Sequence, residues 1–263
     1  MVKPNRTLCY GEGLFETLRV YPGRRVPLLK AHARRMAEGA AFFGFPFSLE
    51  AFERTVAEGV AQMAEGEAGR LRVTLELFGE TEPEEASLTI TSGPLPVDEA
   101  TLRDGVTLMQ APFPRCSSSP LVRFKTTAFL ENTHARRLAR AEGAFDALFL
   151  NQRGEVAEAS SANCFIIRGR RLITAPEEAG LLPGIARRFL LLVTDEIGLK
   201  AEVRPVTLQD LHEADEVLLS NALVEALPVR AIAGIRAAIP AAGWAQSLRA
   251  AYRQYIAHWA ERG

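Results

Sequence analysis

Hydrophobic and polar positions along the chain switch repeatedly between a period of two and a period near 3.6, so strands and helices intermix from end to end. Gly13–Val20 reads as a strand that ends at the turn Tyr21-Pro22-Gly23-Arg24. Leu29–Phe43 reads as a helix with Ala33, Met36, Ala37, Ala40 and Ala41 on its apolar side, stopped by Gly44 and Pro46. Ser48 is the expected N-cap of a second helix running to about residue 65, with Glu50 and Glu53 in its first turns. Strands are expected over 69–78 and 86–93, around the acidic loop Gly79-Glu80-Thr81-Glu82-Pro83-Glu84-Glu85. A further strand, Val106–Gln110, closes this half.

Residues 111–120 hold three prolines and three serines and read as an interdomain connection. Beyond it the pattern predicts a helix over 130–143, strands over 146–150 and 156–167 around the turn Asn151-Gln152-Arg153-Gly154, and a hairpin turn at Arg168-Gly169-Arg170 leading into 172–174. An amphipathic helix over 185–197, a short strand over 217–220 and a closing helix over 244–262 follow. The expected class is therefore α+β, mixed α/β, in two domains: 1–110, a connection over 111–122, and 123–263. No internal repeat and no low-complexity segment is present.

Composition narrows the partners. The net charge is -1, which supplies no electrostatic footprint for nucleic acid or an anionic membrane. The first residues carry no apolar run of a signal peptide, and no stretch of about 18 apolar residues could span a membrane. Cys9, Cys116 and Cys164 are an odd, scattered set; they predict neither a disulfide framework nor a zinc site and fit a reducing cytoplasm.

Among 31 basic residues, lysine stands only at Lys3, Lys30, Lys125 and Lys200. Arginine serves wherever charge alone is wanted, so Lys125, in Arg123-Phe124-Lys125-Thr126-Thr127, draws interest: a lysine amine can lose its proton and condense with a carbonyl. Glu158 lies 33 residues later beside the small residues Ala159, Ser160 and Ser161. A carboxylate there suits a protonated ring nitrogen, and its plainer reading is an exposed strand residue. Gly184 opens a helix whose unpaired N–H groups make a phosphate seat. Arg35, with His32 three residues before it, offers a bidentate donor, or else both belong to a solvated helix face.

Together these segments resemble the class IV aminotransferases, the fold type IV pyridoxal phosphate (PLP) enzymes. The matching stretches are Tyr10 to Arg19, Leu29-x-x-His32-x-x-Arg35-Met36, Lys125-Thr126-Thr127, Glu158 to Phe165, Leu182 to Arg187, and Asn221-Ala222-Leu223 leading into Pro228-Val229-Arg230. The resemblance implies two α/β domains with PLP at their interface, a homodimer, and a small-molecule substrate. It makes Lys125 the Schiff-base lysine and the acid/base, Glu158 the partner of the pyridine nitrogen, and Arg35 a phosphate ligand. It assigns Gly184, Ile185 and Ala186 to the helix-start phosphate donors, and Asn221 and Ala222 to a second phosphate-side loop. Arg72, Tyr10 and Phe15 are implied on the substrate side.

Phe15-Glu16-Thr17 and Asn221-Ala222-Leu223 look most like the 4-amino-4-deoxychorismate lyases, in which Thr17 would assist proton transfer. The implied reaction releases pyruvate and leaves 4-aminobenzoate, a folate precursor. The alternative is an aminotransferase acting on branched-chain or D-amino acids. A cofactor-free scaffold would have no need of both Lys125 and Glu158. The loop after Leu77, which carries a substrate-binding Arg in many relatives, has four acids and no base here, so the cations for a dianionic substrate must come from Arg72, Arg19, Arg123 or Arg115.

Overall fold

The computed structural model describes residues 3–239 and 243–262; residues 1, 2, 240–242 and 263 lie outside it, Met1 and Val2 of the N-terminal segment read above among them. The elements in chain order are α1 (Arg6–Tyr10), β1 (Gly13–Val20), α2 (Leu29–Phe43), α3 (Leu49–Ala61), β2 (Gly69–Phe78), β3 (Glu85–Gly93), α4 (Glu99–Asp104) and β4 (Val106–Gln110). They continue as α5 (Leu130–Ala141), β5 (Asp146–Leu150), β6 (Val156–Ala159), β7 (Asn163–Arg168), β8 (Arg171–Thr174), α6 (Ile185–Leu192), β9 (Lys200–Val203), α7 (Leu208–Glu213), β10 (Glu216–Ser220), β11 (Leu227–Ala233) and α8 (Trp244–Arg262). The class is mixed α and β, as the alternating periods predict.

The chain forms two compact units. The first comprises Met1–Pro96, Phe124–Phe129 and Ile256–Gly263. Its antiparallel sheet has the order β1-β2-β3. One face is covered by α2 and α3, and the core between them holds Leu14, Leu18, Val20, Met36, Phe52, Val56, Leu71, Val73, Leu75 and Leu77. Strand β2 alternates strictly, with Leu71, Val73, Leu75 and Leu77 inward and Arg70, Arg72, Thr74 and Glu76 outward. The Ser48 hydroxyl caps α3 as expected, accepting from the Ala51 N–H at 3.2 Å. Gly59 of α3 lets this helix press on β3, since a Cβ there would lie 2.3 Å from Ile90 Cδ1.

The second unit comprises Val97–Arg123 and Leu130–Tyr255. Its sheet runs β10-β11-β4-β5-β6-β7-β8-β9, and β10 also pairs with β7, so six of the strands close into a ring. The β11–β4, β4–β5 and β8–β9 pairs are parallel and the others antiparallel. Leu108, Leu148, Ile166, Val217, Leu219, Leu227 and Val229 belong to its main core. Alanines at 135 and 139 of α5 pack with Ala147, Phe149 and Ala157 in a second cluster.

Four expectations change. Val106–Gln110 does not close the first half: it pairs with β11 and β5 and so belongs to the second unit. The segment 111–120 is no free connection, because its backbone runs along β5, with Ala111 N–H donating to Leu148 O and Arg115 N–H to Leu150 O, both at 2.8 Å. The division into 1–110 and 123–263 is replaced by an interleaved one, with Lys125 in the first unit. Local sequence could not show this, since non-local pairing decides which sheet a strand joins.

The fourth change concerns element ends. The strand expected over 156–167 is two antiparallel strands, turned at Ser160-Ser161-Ala162, where both serine hydroxyls donate to the buried Asp146 carboxylate. The helix expected over 185–197 stops at Leu192; the Thr194 hydroxyl donates to Leu191 O at 3.1 Å and a short 3₁₀ turn follows. Among the described residues no helix is long and apolar enough to cross a membrane.

Leu71→Ala, at a fully buried position of the central strand β2, is expected to cost about 2–5 kcal/mol. The urea midpoint of the wild type and variant measures it, and an unchanged midpoint would contradict a tightly packed first core.

Candidate active site

Strand β1 carries a charge on the wrong side for a simple amphipathic strand. Glu16 faces inward between Leu14 and Leu18, and is 1% exposed. Two residues on α2 account for it. Arg35 grips the carboxylate bidentately, Nε donating to Oε1 and Nη2 to Oε2, both at 2.7 Å. His32 Nδ1 lies 2.7 Å from Oε2, and His32 is itself buried. Burial pushes the Glu16 pKa up, but the charge of Arg35 and the hydrogen bonds from Arg35 and His32 outweigh it and hold the group down at about 2. Burial also pushes the His32 pKa down, against the pull of Glu16. A neutral imidazole donating its Nδ1–H to the carboxylate satisfies both. The solvated helix face considered for His32 and Arg35 is thereby excluded.

Because Glu16 points in, Phe15, Thr17 and Arg19 point out. Across the sheet Thr17 stands opposite Arg72 and Arg19 opposite Arg70, with Thr91 and Gly93 beyond them on β3. Gly93 leaves room for the Arg70 guanidinium, whose nearest atoms would lie 3.2 Å from a Cβ. The Arg72 guanidinium sits 3.6 Å from the Phe15 ring centroid. Its pKa is lowered, first by burial and then by the neighbouring charge of Arg70.

Lys125 reaches this same face. The segment around it adds to the free edge of β1, with Phe15 N–H donating to Lys125 O and Thr127 N–H to Gly13 O, both at 2.9 Å. Phe124 packs with Phe42 and Phe43, and the Thr127 hydroxyl donates to Gly11 O at 2.6 Å. So anchored, Lys125 holds its Nζ 4.2 Å from the Phe15 centroid. An amine over an aromatic face, with Arg70 and Arg72 on the same sheet, is a setting for anions and for amine chemistry. Tyr10, by contrast, ends α1, is 66% exposed and lies beside Arg6. The acidic loop offers no cation of its own; Lys3 pairs with its Glu84 and Glu85 at 2.7 Å each.

In the second unit Glu158 is buried on β6, not an exposed strand residue. Its Oε2 accepts from Asn163 Nδ2 at 3.1 Å and from the Leu182 N–H at 3.2 Å. The Asn163 amide also donates to Leu182 O at 2.9 Å, so one side chain ties β7, the carboxylate and the 180–184 segment together. Gly184 then opens α6 with no side-chain cap, and Ile185 and Ala186 are its first residues. Glycine is needed there, since a Cβ would fall 2.0 Å from Asn163 Oδ1. Asn221 folds its own loop: Oδ1 accepts from the Leu223 and Val224 N–H groups, and Nδ2 donates to Ser161 O at 3.0 Å. Ala222 is half-buried beside it.

Lys125, Phe15, Thr17 and Arg72 therefore share one face of the first unit, and Arg35 lies behind it, locked to Glu16. Glu158, Gly184, Ile185, Ala186, Asn221 and Ala222 belong to the second unit. Of the cations considered for substrate, Arg19 lies on the same sheet face but is buried against the Tyr21 ring, Arg123 is exposed in the second unit, and Arg115 is buried beside Glu158. The sequence reading missed Glu16 and Asn163, and considered Arg115 only as a substrate cation. Glu16 had a signal: it is the acid at an inward position of a strand otherwise apolar there.

The donor sets fit PLP. A buried, hydrogen-bonded carboxylate suits a ring nitrogen, an uncapped helix start suits a phosphate, and a lysine amine over an aromatic ring suits a carbonyl. Comparison with known proteins agrees. Residues 13–232 match the family model of Amino-transferase class IV. A probable branched-chain-amino-acid aminotransferase of Thermotoga maritima is 28% identical over 222 residues, 82% of this chain and 76% of that protein. The aminodeoxychorismate lyase of Bacillus subtilis is 25% identical over 229 residues, 83% of this chain and 77% of that protein. The crystal structure of a branched-chain aminotransferase from Thermoproteus uzoniensis with norvaline has a TM-score of 0.87 and 27% identity, covering 98% of this chain and 90% of that one.

The Glu16 cluster has a pH signature. A carboxylate held at about 2 rather than 4.5 stabilises the fold above pH 4.5, and that contribution is lost as pH falls toward 2. Glu16→Gln is expected to flatten the stability profile over this window and to lower stability at neutral pH by removing the carboxylate that the partly buried Arg35 grips. Chemical denaturation at a series of pH values checks it; identical acid limbs would refute the buried ion cluster.

Proposed function

The chain belongs to the class IV aminotransferases, a family of PLP-dependent enzymes, and we propose that it acts as a 4-amino-4-deoxychorismate lyase, releasing pyruvate and leaving 4-aminobenzoate. The observation that carries this reading is the open face of the first sheet. Arg19, Arg70, Arg72 and Lys125 meet there with the hydroxyls of Thr17, Thr74, Thr89 and Thr91. Glu76 is the one acid that β2 places on that side, and it accepts from Thr89 and Asn5. Such a face suits a small substrate with two carboxylates better than one with a branched apolar side chain.

PLP, when bound, supplies an electron-accepting ring that stabilises negative charge at the substrate carbon beside the amine. Everything else falls to the chain. Lys125 would hold the cofactor carbonyl, and its amine would take the proton from that carbon. Glu158 accepts the hydrogen bond of the protonated ring nitrogen. The N–H groups at Gly184, Ile185 and Ala186 and the loop at Asn221 and Ala222 would take the phosphate; the same role for Arg35 rests on the resemblance alone, since Glu16 holds its guanidinium. Arg72 and Arg70 take carboxylate oxygens. Phe15 forms the apolar floor beneath the Lys125 amine and the Arg72 guanidinium. Thr17, the next residue on that face, shares the proton delivered on the substrate side. Exposed Tyr10 stays a proposed substrate contact on the resemblance alone, and the homodimer stands on the same footing.

The second reading is a branched-chain or D-amino acid aminotransferase, favoured by the Thermotoga maritima and Thermoproteus uzoniensis relatives. Both readings use Lys125 and Glu158. They part at the product, so the deciding experiment is product identification with aminodeoxychorismate, set against L- and D-amino acids with 2-oxoglutarate.

Pyruvate and 4-aminobenzoate are expected from the first. Thr17→Gly should lower their formation while PLP binding persists. No pyruvate, with ready transamination of branched-chain or D-amino acids, would reverse the assignment. Arg72→Gln should raise KM for the dicarboxylate roughly ten- to a hundredfold, the equivalent of about 1.5–3 kcal/mol for a charge-assisted contact. A monocarboxylate amino acid should be affected less. Borohydride reduction and peptide mapping should label Lys125, and label at another lysine would displace it from this role.

A further inference from the structure

Arg115 is one of the most buried cations of the second unit, at 3% exposure, and the mechanism above does not use it. Its backbone is tied to the end of β5 through Leu150 O, which sends the side chain inward, 4.0 Å from the Phe149 ring centroid. Nη1 donates to Asn132 Oδ1 and to the half-exposed Glu131 carboxylate, each at 3.2 Å. Nε and Nη2 are buried and meet no hydrogen-bond acceptor among the described residues. Nη2 lies 3.8 Å from Glu158 Oε1, beyond hydrogen-bonding range but in direct charge contact.

A guanidinium buried with two unsatisfied nitrogens is costly, and of the two carboxylates it meets Glu131 is the nearer but faces solvent, whereas Glu158 is the buried one. The carboxylate is thus divided: Oε2 is held by the neutral donors Asn163 and Leu182 N–H, while Oε1 faces a cation. Arg187 of α6 adds a second, more distant positive charge that senses Glu158 and Glu177, and Glu131 lies on the far side of Arg115.

We propose that Arg115 is a positioning residue that keeps Glu158 ionised, so that the proton shared between Glu158 and the cofactor's ring nitrogen resides on the nitrogen. The proposal rests on the PLP reading above. A cation touching the carboxylate opposes a proton on that carboxylate more than one on its hydrogen-bond partner. Without Arg115 the buried acid gains proton affinity, the proton moves from the ring nitrogen to Glu158, and the ring loses its positive charge. The side chain does this without touching substrate, which removes it from the substrate cations considered above.

Two readouts test it. In the cofactor-free protein, selective ¹³C labelling of Glu carboxyl carbons, with Glu158 identified by its absence in Glu158→Gln, gives the Glu158 titration by NMR. Arg115→Met should raise its proton affinity roughly 10- to 1,000-fold, the range for losing an opposite charge at this distance, and Arg115→Lys should restore most of it. In protein loaded with ring-¹⁵N PLP, the nitrogen shift should be that of a protonated pyridine in the wild type and Arg115→Lys, and move toward the neutral value in Arg115→Met. In a Glu158→Gln background, Arg115→Met should have no further effect. Unaltered Glu158 titration or ring shift in Arg115→Met would overturn the proposal, and Arg115→Gln, which also removes the charge, gives the same test if the methionine variant fails to fold. A wild type that takes up no PLP would instead sink the cofactor reading, and the carboxyl titration would still judge Arg115.

Discussion

The bidentate pair between Glu16 and Arg35, with His32 beside it, is the constraint on which the first unit turns. A strand has a period of two, so one inward residue determines the direction of every other. A one-residue slip of β1 would take Glu16 away from the partly buried Arg35 and the buried His32 and push Phe15, Thr17 and Arg19 toward the α2 side. The ion cluster therefore specifies register. What it protects is the opposite face, where Thr17 meets Arg72 and Lys125 lies over Phe15.

The second unit solves a different problem, that of holding a carboxylate away from water. Glu158 is surrounded by the Asn163 amide, the Leu182 N–H and the Arg115 guanidinium, each on a different segment. Asn163 is the hinge of this arrangement, because the same amide holds the 180–184 segment and forbids a side chain at Gly184. Carboxylate and open helix start are thus built as one piece. A change at Asn163 would disturb both, although it is neither acid, base nor phosphate donor.

The two units divide the chemistry by type. The first presents cations and hydroxyls on a sheet face left uncovered by helices. The second presents one acid and two turns of backbone N–H groups in a closed sheet. The first unit's outer sheet face, built from strand residues such as Arg70, Arg72 and Thr17, can vary without disturbing either core.

Much of this was legible in the sequence. Periodicity located β1, α2, β2 and β4 at their observed bounds, because side-chain burial follows local geometry there. Lys125 and Glu158 stood out by residue type, and the family resemblance joined them to Arg35, Gly184 and Asn221. Local pattern could not assign Val106–Gln110 to a sheet, because its partners β5 and β11 lie as far as 124 residues along the chain (Leu108 to Ile232) and only the folded chain brings them together. Nor could it foresee the break at Ser160-Ser161, which depends on Asp146 accepting both hydroxyls. The sequence by itself determined the elements and the chemistry at hand. Tertiary structure decided which charges are buried and against what: Glu16 against Arg35, Glu158 against Arg115. Burial and pairing are properties of distance in space, and distance in space is set by contacts between residues remote in the chain.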